Sequence, residues 1–250
     1  MDYKNNCKQY KDTIVDNFSK SQCIKNFFTQ QEIELLSTYQ FKNTERLKWT
    51  ATSNNIQPVV DIDTMFETFG WLDEKFSKIF DSYFNQHTGN FYITTQLHDC
   101  HADLMTAQEL QEFEWSHKVI PYKSVVIPLL VSESVDTYTA FFNERYIGTS
   151  ITLDNDYISE QKDSMYELLR DHPDFEITNF SNKKFDEYIF PHIGNKTLDG
   201  LGVESVFKFV PGNIFVFDAC QLHASCASKQ SPNAKFLKSG INLQFYKETK

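Results

Sequence analysis

The sequence predicts a mainly β fold with flanking helices, on the basis of three observations. The first third contains two patterns that open helices, and short β-rich runs follow from residue 91. The chain has 250 residues, of which 40% are hydrophobic and 15% aromatic, enough to bury a full core. We therefore expect one domain over residues 1–250, with 1–90 as mainly helical support and 91–250 as the β core.

Two capping-box patterns mark the expected helix starts. Thr29-Gln-Gln-Glu32 precedes IELLSTY, and Thr64-Met-Phe-Glu67 precedes a longer segment with apolar residues at helical spacing. The apolar residues of that second segment are Phe69, Leu72, Phe76, Ile79 and Tyr83. Their spacing predicts one long helix with an apolar side that faces the core.

Short β-rich runs fill most of the remaining chain. They are FYITTQL, KSVVIPLLV, TYTAFFN, SVFKFV, IFVFD and SGINLQFY. A polar insert of about residues 148–202 interrupts them, and we expect it to form a flap on the core. A further helix, opened by Thr106-Ala-Gln-Glu109, is expected to cover the core with a solvated face; a substrate lid is the alternative.

Charge and cysteine content exclude several classes of protein. A net charge of -10 and a pI near 5.2 argue against nucleic acid as a partner, because Lys and Arg drive binding to phosphates. The five cysteines are odd in number and form no CxxC pair, so neither a disulfide framework nor a thiolate zinc site is indicated. No apolar run reaches membrane-spanning length. We expect a cytoplasmic protein without a membrane partner.

Three potential metal ligands follow the predicted strands. Residues two apart on an extended chain point to the same side, so His101 and Asp103 can project together after FYITTQL. His223 follows the buried strand of PGNIFVFDACQLHAS. Two imidazoles and one carboxylate on one face of a metal leave adjacent positions open, as non-haem Fe(II) needs to hold a co-substrate and O₂. The alternative is a β core whose two histidines are merely satisfied interior groups.

These motifs resemble the Fe(II)/2-oxoglutarate-dependent oxygenases of the broad phytanoyl-CoA and prolyl hydroxylase type. The resemblance rests on His101-Ala-Asp103, the strand-turn-strand leading to His223, a basic residue downstream, and NFFTQQEIELLSTY near the N-terminus. It implies a double-stranded β-helix, a cupin-like jelly roll, as the core. It also implies a non-haem iron dioxygenase, in which 2-oxoglutarate binds iron through one carboxylate and its keto oxygen and leaves as succinate and CO₂.

The resemblance further implies a cation in the barrel for the other carboxylate of 2-oxoglutarate. No arginine follows His223, so a lysine must serve, and the candidates are Lys229, Lys235 and Lys238. If KSGINLQF is a strand, its polar face carries Lys238, Gly240, Asn242 and Gln244. Its other face carries Ser239, Ile241, Leu243 and Phe245, which would pack beneath the N-terminal helices. Lys238 is therefore the predicted anchor, although Gly240 departs from the frequent Arg-x-Ser pattern.

Residues beside these candidates have plainer interpretations. His98 has the opposite strand parity to His101, so we expect a structural or supporting role for it. Cys100 is more typical of an inert core residue than of a ligand. Arg145 could receive a substrate carboxylate, but a surface salt bridge is the stronger expectation.

The leading functional hypothesis is an oxygenase that hydroxylates, or otherwise oxidises, a small molecule. A protein side-chain hydroxylase and a non-catalytic cupin-like binding protein are the alternatives. Related halogenases replace the carboxylate ligand with a small residue, so Asp103 predicts hydroxylation rather than halogenation, with desaturation or ring closure still open. Substrate contacts are expected in residues 41–60 and 148–202.

Overall fold

A computed structural model describes the greater part of the chain. It covers residues 18–43, 50–52, 55–57, 62–80, 84–95, 97–103, 119–132, 136–145, 188–189, 201–228 and 237–248. These ranges contain the helices α1 (Gln30–Asn43), α2 (Ile62–Thr68) and α3 (Trp71–Ser77). Among the helices of the described ranges, none is long and apolar enough to cross a membrane.

The first capping box is confirmed at the start of α1. The Thr29 backbone N–H donates to Glu32 Oε2 at 2.7 Å, and the Glu32 N–H donates to Thr29 Oγ1 at 3.3 Å. These two bonds satisfy amide groups that have no partner within the first helical turn. The local sequence therefore sets where α1 begins.

The second capping-box prediction is wrong. Thr64 lies inside α2, and the expected long helix is divided into α2 and α3 by a turn at Phe69 and Gly70. Glycine costs about 1 kcal/mol relative to alanine inside a helix, which favours a break at Gly70. Leu72 and Phe76 are nevertheless fully buried, so the apolar spacing identified the buried side correctly.

The described strands number eleven. They are β1 (Gln22–Ile24), β2 (Thr50–Thr52), β3 (Asn55–Gln57), β4 (Phe84–Thr94), β5 (Val119–Val131), β6 (Thr137–Arg145), β7 (Tyr188–Ile189), β8 (Val203–Lys208), β9 (Ile214–Asp218), β10 (Gln221–Ser228) and β11 (Lys238–Glu248). In the described part of residues 1–90, the three helices lie together with three short strands, and β4 begins at Phe84. The short strands pair with the edges of the core sheet, and that tertiary pairing has no strong local signal.

The strands form two antiparallel sheets with jelly-roll connections. The larger sheet has the order β1-β9-β5-β11-β4-β3-β2, and the smaller has the order β7-β10-β6-β8. The chain crosses between the sheets from β5 to β6, from β8 to β9, from β9 to β10 and from β10 to β11. This alternation defines a double-stranded β-helix, so the predicted fold class is confirmed.

The two faces of the larger sheet have different partners. On its outer face, Ile241, Leu243 and Phe245 of β11 pack with Leu36 of α1 and Phe76 of α3, as the alternation predicted. The inner face meets the smaller sheet, with an apolar cluster between the sheets. Helices therefore cover one side of β11, while its other side borders the interior of the barrel.

A buried ion cluster closes one end of the barrel. Arg145 at the end of β6 is only 3% exposed, and its Nε donates to Asp218 Oδ2 at 2.9 Å. Lys123 pairs with the other oxygen of Asp218, and an Arg145 terminal nitrogen donates to the Ser19 carbonyl at 2.9 Å. The surface salt bridge expected for Arg145 is wrong, because the segment leading into β1 covers this end. Arg145 is occupied in holding that segment rather than in receiving a substrate.

Candidate metal centre

A backbone bridge brings the two predicted histidine ligands together. The His101 N–H donates to the His223 carbonyl at 3.0 Å, and the His223 N–H donates to the His101 carbonyl at 2.9 Å. Their imidazole ring centroids lie 4.2 Å apart. Asp103 follows two residues after His101 and lies in the same group of potential ligands. The segment after β4 therefore pairs with β10 at a single residue pair, and this pairing brings the three side chains together.

Each histidine turns the same ring nitrogen toward the other ligands. His101 Nδ1 lies 2.7 Å from the Asp99 carbonyl oxygen, and His223 Nδ1 lies 3.1 Å from the Gln221 carbonyl oxygen. A carbonyl oxygen only accepts, so each Nδ1 carries a hydrogen, and Nε2 is the nitrogen that each ring offers to a metal. Burial, together with the neighbouring His101, lowers the pKa of His223 to about 4. His223 is therefore neutral at ordinary pH, as a metal ligand must be.

The spacing of the three side chains suits a shared cation better than direct hydrogen bonds. Asp103 Oδ1 lies 3.8 Å from the Nε2 of each histidine, which is too long for a hydrogen bond. Two ligands that each lie about 2.1 Å from one ion at a right angle are about 3 Å apart, so a small contraction would suffice. Asp103 Oδ2 is buried without a hydrogen-bond partner among the described residues. This donor set and this unsatisfied oxygen fit a divalent metal, Fe(II) included.

The cluster opens into a cavity of about 350 Å³ that β4, β10 and β11 border. Polar residues beyond the three candidate ligands also line it: Tyr92, Thr139, Ser225, Lys238, Asn242 and Gln244. His98 lies on the cavity wall, with its ring 6.0 Å from the His101 ring, and it is not in the metal-ligand cluster of the described residues. Cys100 is fully buried, and burial raises the pKa of its thiol, which keeps it protonated.

Lys238 contributes a buried positive charge to this cavity. It is 2% exposed, and its Nζ donates to Ser225 Oγ at 2.7 Å and lies 5.2 Å from the centre of the Phe209 ring. Burial lowers its pKa to about 8. Among the described side chains, no carboxylate forms an ion pair with it. A cation buried in this way is costly unless an anion joins it, so Lys238 is suited to hold one.

Gly240 occupies the position where the resemblance suggested a serine, and the structure gives a reason for the glycine. Gly240 pairs directly with Tyr92 across β11 and β4. A Cβ atom at position 240 would lie 2.6 Å from Tyr92 Oη and 2.8 Å from the Ile127 carbonyl oxygen. The missing side chain makes room for the tyrosine hydroxyl. Burial and the charge of Asp103 raise the pKa of that hydroxyl, so it stays protonated.

Two supports of Asp103 were not identified from the sequence. Asn242 Nδ2 donates to Asp103 Oδ1 at 2.9 Å, and Gln244 Nε2 donates to the Asp103 backbone carbonyl. The alternation of β11 predicted that both side chains share the polar face with Lys238. Their partner could not be named, because it lies 139 residues away from Asn242 along the chain. Tyr92 was missed for a similar reason, since its match with Gly240 requires the strand register.

Several predictions lie outside the described residues. They concern the covering helix from Thr106, the competing lysines Lys229 and Lys235, and nearly all of the insert 148–202. Of that insert, the described part is β7, which pairs with β10, and residues 201–202. The described lining of the cavity comes from β4, β5, β6, β10 and β11 and from the segment after β4.

Several solved structures are similar to this chain across most of its length. A Pseudomonas putida prolyl-4-hydroxylase is 8% identical, with a TM-score of 0.46 and 97% of each chain covered. A second similar structure is HygX from Streptomyces hygroscopicus with nickel, 2-oxoglutarate and hygromycin B bound. It is 14% identical, with a TM-score of 0.45, and the similarity covers 97% of this chain and 86% of that chain. The viral collagen prolyl hydroxylase vCPH from Paramecium Bursaria Chlorella virus-1, in complex with 2-oxoglutarate, is 10% identical, with a TM-score of 0.44 and coverages of 92% and 97%.

No protein-family model and no curated protein matches the sequence of the chain. The fold and the site together define a jelly roll whose cavity contains two imidazoles, one carboxylate and one buried lysine. The solved structures to which the chain is similar belong to the superfamily that its motifs resemble, the Fe(II)/2-oxoglutarate-dependent oxygenases.

Proposed function

We propose that the protein is an Fe(II)- and 2-oxoglutarate-dependent oxygenase that hydroxylates, or otherwise oxidises, a small molecule and releases succinate and CO₂. The observation that carries the proposal is the meeting of two features in one cavity. A three-ligand cluster of His101, Asp103 and His223 lies open to that cavity, and the buried cation Lys238 lines it too. A metal ligand set and an anion site are both required to hold one 2-oxoglutarate molecule.

His101, Asp103 and His223 would hold Fe(II), which with 2-oxoglutarate and O₂ supplies the oxidising chemistry when bound. The two histidines contribute Nε2 atoms, whose orientation is fixed by the carbonyl groups that their Nδ1 atoms contact. Asp103 contributes one negative charge, which lowers the net charge of the centre. The three ligands come from the segment after β4 and from β10, and the cavity that they line would receive co-substrate and substrate.

Lys238 would anchor the distal carboxylate of 2-oxoglutarate. A charge-assisted hydrogen bond to that carboxylate contributes about 1.5 to 3 kcal/mol, which corresponds to roughly 10- to 150-fold in affinity. Ser225, whose hydroxyl accepts from Lys238 at 2.7 Å, fixes the direction of the ammonium group. The Tyr92 hydroxyl that Gly240 accommodates lines the same cavity and can add a second donor.

Anaerobic titration with Fe(II) and 2-oxoglutarate tests this proposal. The chelate has a weak visible charge-transfer band, which should appear with the wild-type protein and be absent in Asp103→Ala. Admission of O₂ should then release succinate. A band without succinate would favour a non-catalytic binding protein, and the absence of any band in the wild type would contradict the proposal.

The wider setting of the proposal rests on other features of the chain. We place residues 1–250 in one oxygenase domain that works in the cytoplasm, without a nucleic-acid or membrane partner. The free thiols of Cys100, Cys220 and Cys226 are buried within the fold, in keeping with a reducing compartment. The net charge of -10 opposes binding to nucleic acid. The cavity of about 350 Å³ is of a size that suits a small-molecule substrate.

A further inference from the structure

Asp103 receives its support from β11, on the larger sheet. Asn242 Nδ2 donates to the carboxylate oxygen Oδ1 at 2.9 Å, and Gln244 Nε2 donates to the backbone carbonyl of the same residue. Oδ1 is also the oxygen that lies 3.8 Å from both histidine Nε2 atoms. The atom that Asn242 holds is therefore the atom nearest to the position between the two imidazoles.

The orientation of the Asn242 amide is set by the chemistry of its partner. A carboxylate only accepts hydrogen bonds, so the NH₂ end of the amide must point to Asp103 and the carbonyl end must point away. That carbonyl oxygen is buried and has no hydrogen-bond partner among the described residues. The hydrogen bond to Asp103 therefore explains why the polar side chain of Asn242 lies inside the cavity.

We propose that Asn242 is a positioning residue of the metal centre, which fixes the Asp103 carboxylate so that its Oδ1 faces the two imidazoles. The inference rests on the proposed function. An aspartate carboxylate can rotate about its two side-chain bonds, and a donor held on β11 restricts that rotation. Groups that orient metal ligands in this way are worth about 10- to 100-fold in metal affinity.

The position of Asn242 also joins the two halves of the site. Lys238, Asn242 and Gln244 lie on one face of the same strand, so β11 bears both the anion site and the support of the carboxylate ligand. The Gln244 side chain holds the backbone carbonyl of Asp103, whereas Asn242 is the side chain among the described residues that donates to the ligand oxygen Oδ1. Loss of Asn242 should therefore affect the metal itself, and its effect can be measured without turnover.

Cobalt(II) titration under anaerobic conditions provides the test, because bound Co(II) has visible absorption bands that report on its coordination. Asn242→Leu removes the amide at nearly constant volume. The matched control is Asn90→Leu, since Asn90 pairs directly with Asn242 on β4, lines the same cavity and makes no hydrogen bond to Asp103 among those of the described residues. Asn242→Val, whose β-branched side chain suits a strand and carries no donor, is a second test if the leucine variant does not fold.

We expect Asn242→Leu and Asn242→Val to bind Co(II) about 10- to 100-fold more weakly than the wild type, with altered visible bands at saturation. Asn90→Leu should keep the wild-type affinity within about twofold, and the wild-type spectrum. Wild-type affinity in a folded Asn242 variant, or an equal loss in Asn90→Leu, would overturn the inference. Failure of the wild-type protein itself to bind Co(II) would overturn the proposed metal centre, and this inference with it.

Discussion

The two faces of β11 lie in different environments and have different roles. Ile241, Leu243 and Phe245 pack against the N-terminal helices, where burial of apolar surface stabilises the fold. Lys238 and Asn242 face the cavity, where a charge and an amide are held away from water. The free energy gained by burying the apolar face offsets the cost of burying a charge and an amide on the polar face. Substitutions on the two faces should therefore have different, separable effects.

The largest expected effect comes from the ligand cluster on the cavity side. His101→Ala, Asp103→Ala and His223→Ala should each abolish iron-dependent succinate release, because all three ligands are needed to hold the metal. Circular dichroism and thermal unfolding should show that the fold is largely retained. Near-normal turnover in any one variant would remove that residue from the metal centre.

The next effect concerns the apolar face. Phe245 is fully buried, and its ring centroid lies 4.7 Å from that of Phe80 and 5.0 Å from that of Phe76. Phe245→Ala should lower the free energy of unfolding by about 3 to 5 kcal/mol, measured by denaturant titration. The folded variant should still bind Co(II) with wild-type affinity, since the lost ring faces the helices. A large loss of metal affinity in the folded variant would show that the two faces are not separable.

Lys238 provides the reverse case, a residue whose removal should stabilise the protein. Burial lowers its pKa from 10.5 to about 8, so protonated Lys238 destabilises the fold below pH 8, and this cost disappears as the pH rises through 10.5. Lys238→Met should therefore raise the unfolding free energy at pH 7 by about 2 to 3 kcal/mol. The gain should shrink between pH 8 and 10.5. A destabilised Lys238→Met protein at pH 7 would contradict this account.

The same titration predicts how pH affects co-substrate binding. Only the protonated lysine attracts a carboxylate, so affinity for 2-oxoglutarate should be highest below pH 8 and fall by up to about tenfold per unit above it. In Lys238→Met this slope should be absent. If the affinity of Lys238→Met for 2-oxoglutarate still falls above pH 8, a group other than Lys238 causes the pH dependence.

The smallest effect is expected at Gly240. Gly240→Ala places a Cβ atom 2.6 Å from Tyr92 Oη, so the ring must shift, at a cost of about 1 to 3 kcal/mol. Gly70→Ala is the matched control, because a Cβ atom there meets nothing within 4 Å and its φ of -53° suits alanine. The control should be neutral or stabilised by a few tenths of a kcal/mol. Equal destabilisation by both changes would rule out the clash with Tyr92.

Local patterns in the sequence predicted the elements and the facing of β11, because alternation and capping depend on near neighbours. The break at Gly70 was not foreseen, since the apolar spacing continues through it and only packing decides between one helix and two. Arg145 was placed on the surface because its partner Asp218 lies 73 residues away. The bond from Asn242 to Asp103 and the fit of Tyr92 against Gly240 depend on strand register, which no single run of residues specifies.

The central claim is that the ligand cluster and Lys238 hold the same molecule of 2-oxoglutarate. The direct measurement is the dissociation constant of 2-oxoglutarate, by anaerobic calorimetry, for the wild type and Lys238→Met, each with and without Fe(II). We predict that removal of the metal and loss of the lysine each weaken binding at least tenfold. Unchanged affinity in Lys238→Met, or binding that does not depend on the metal, would contradict the account.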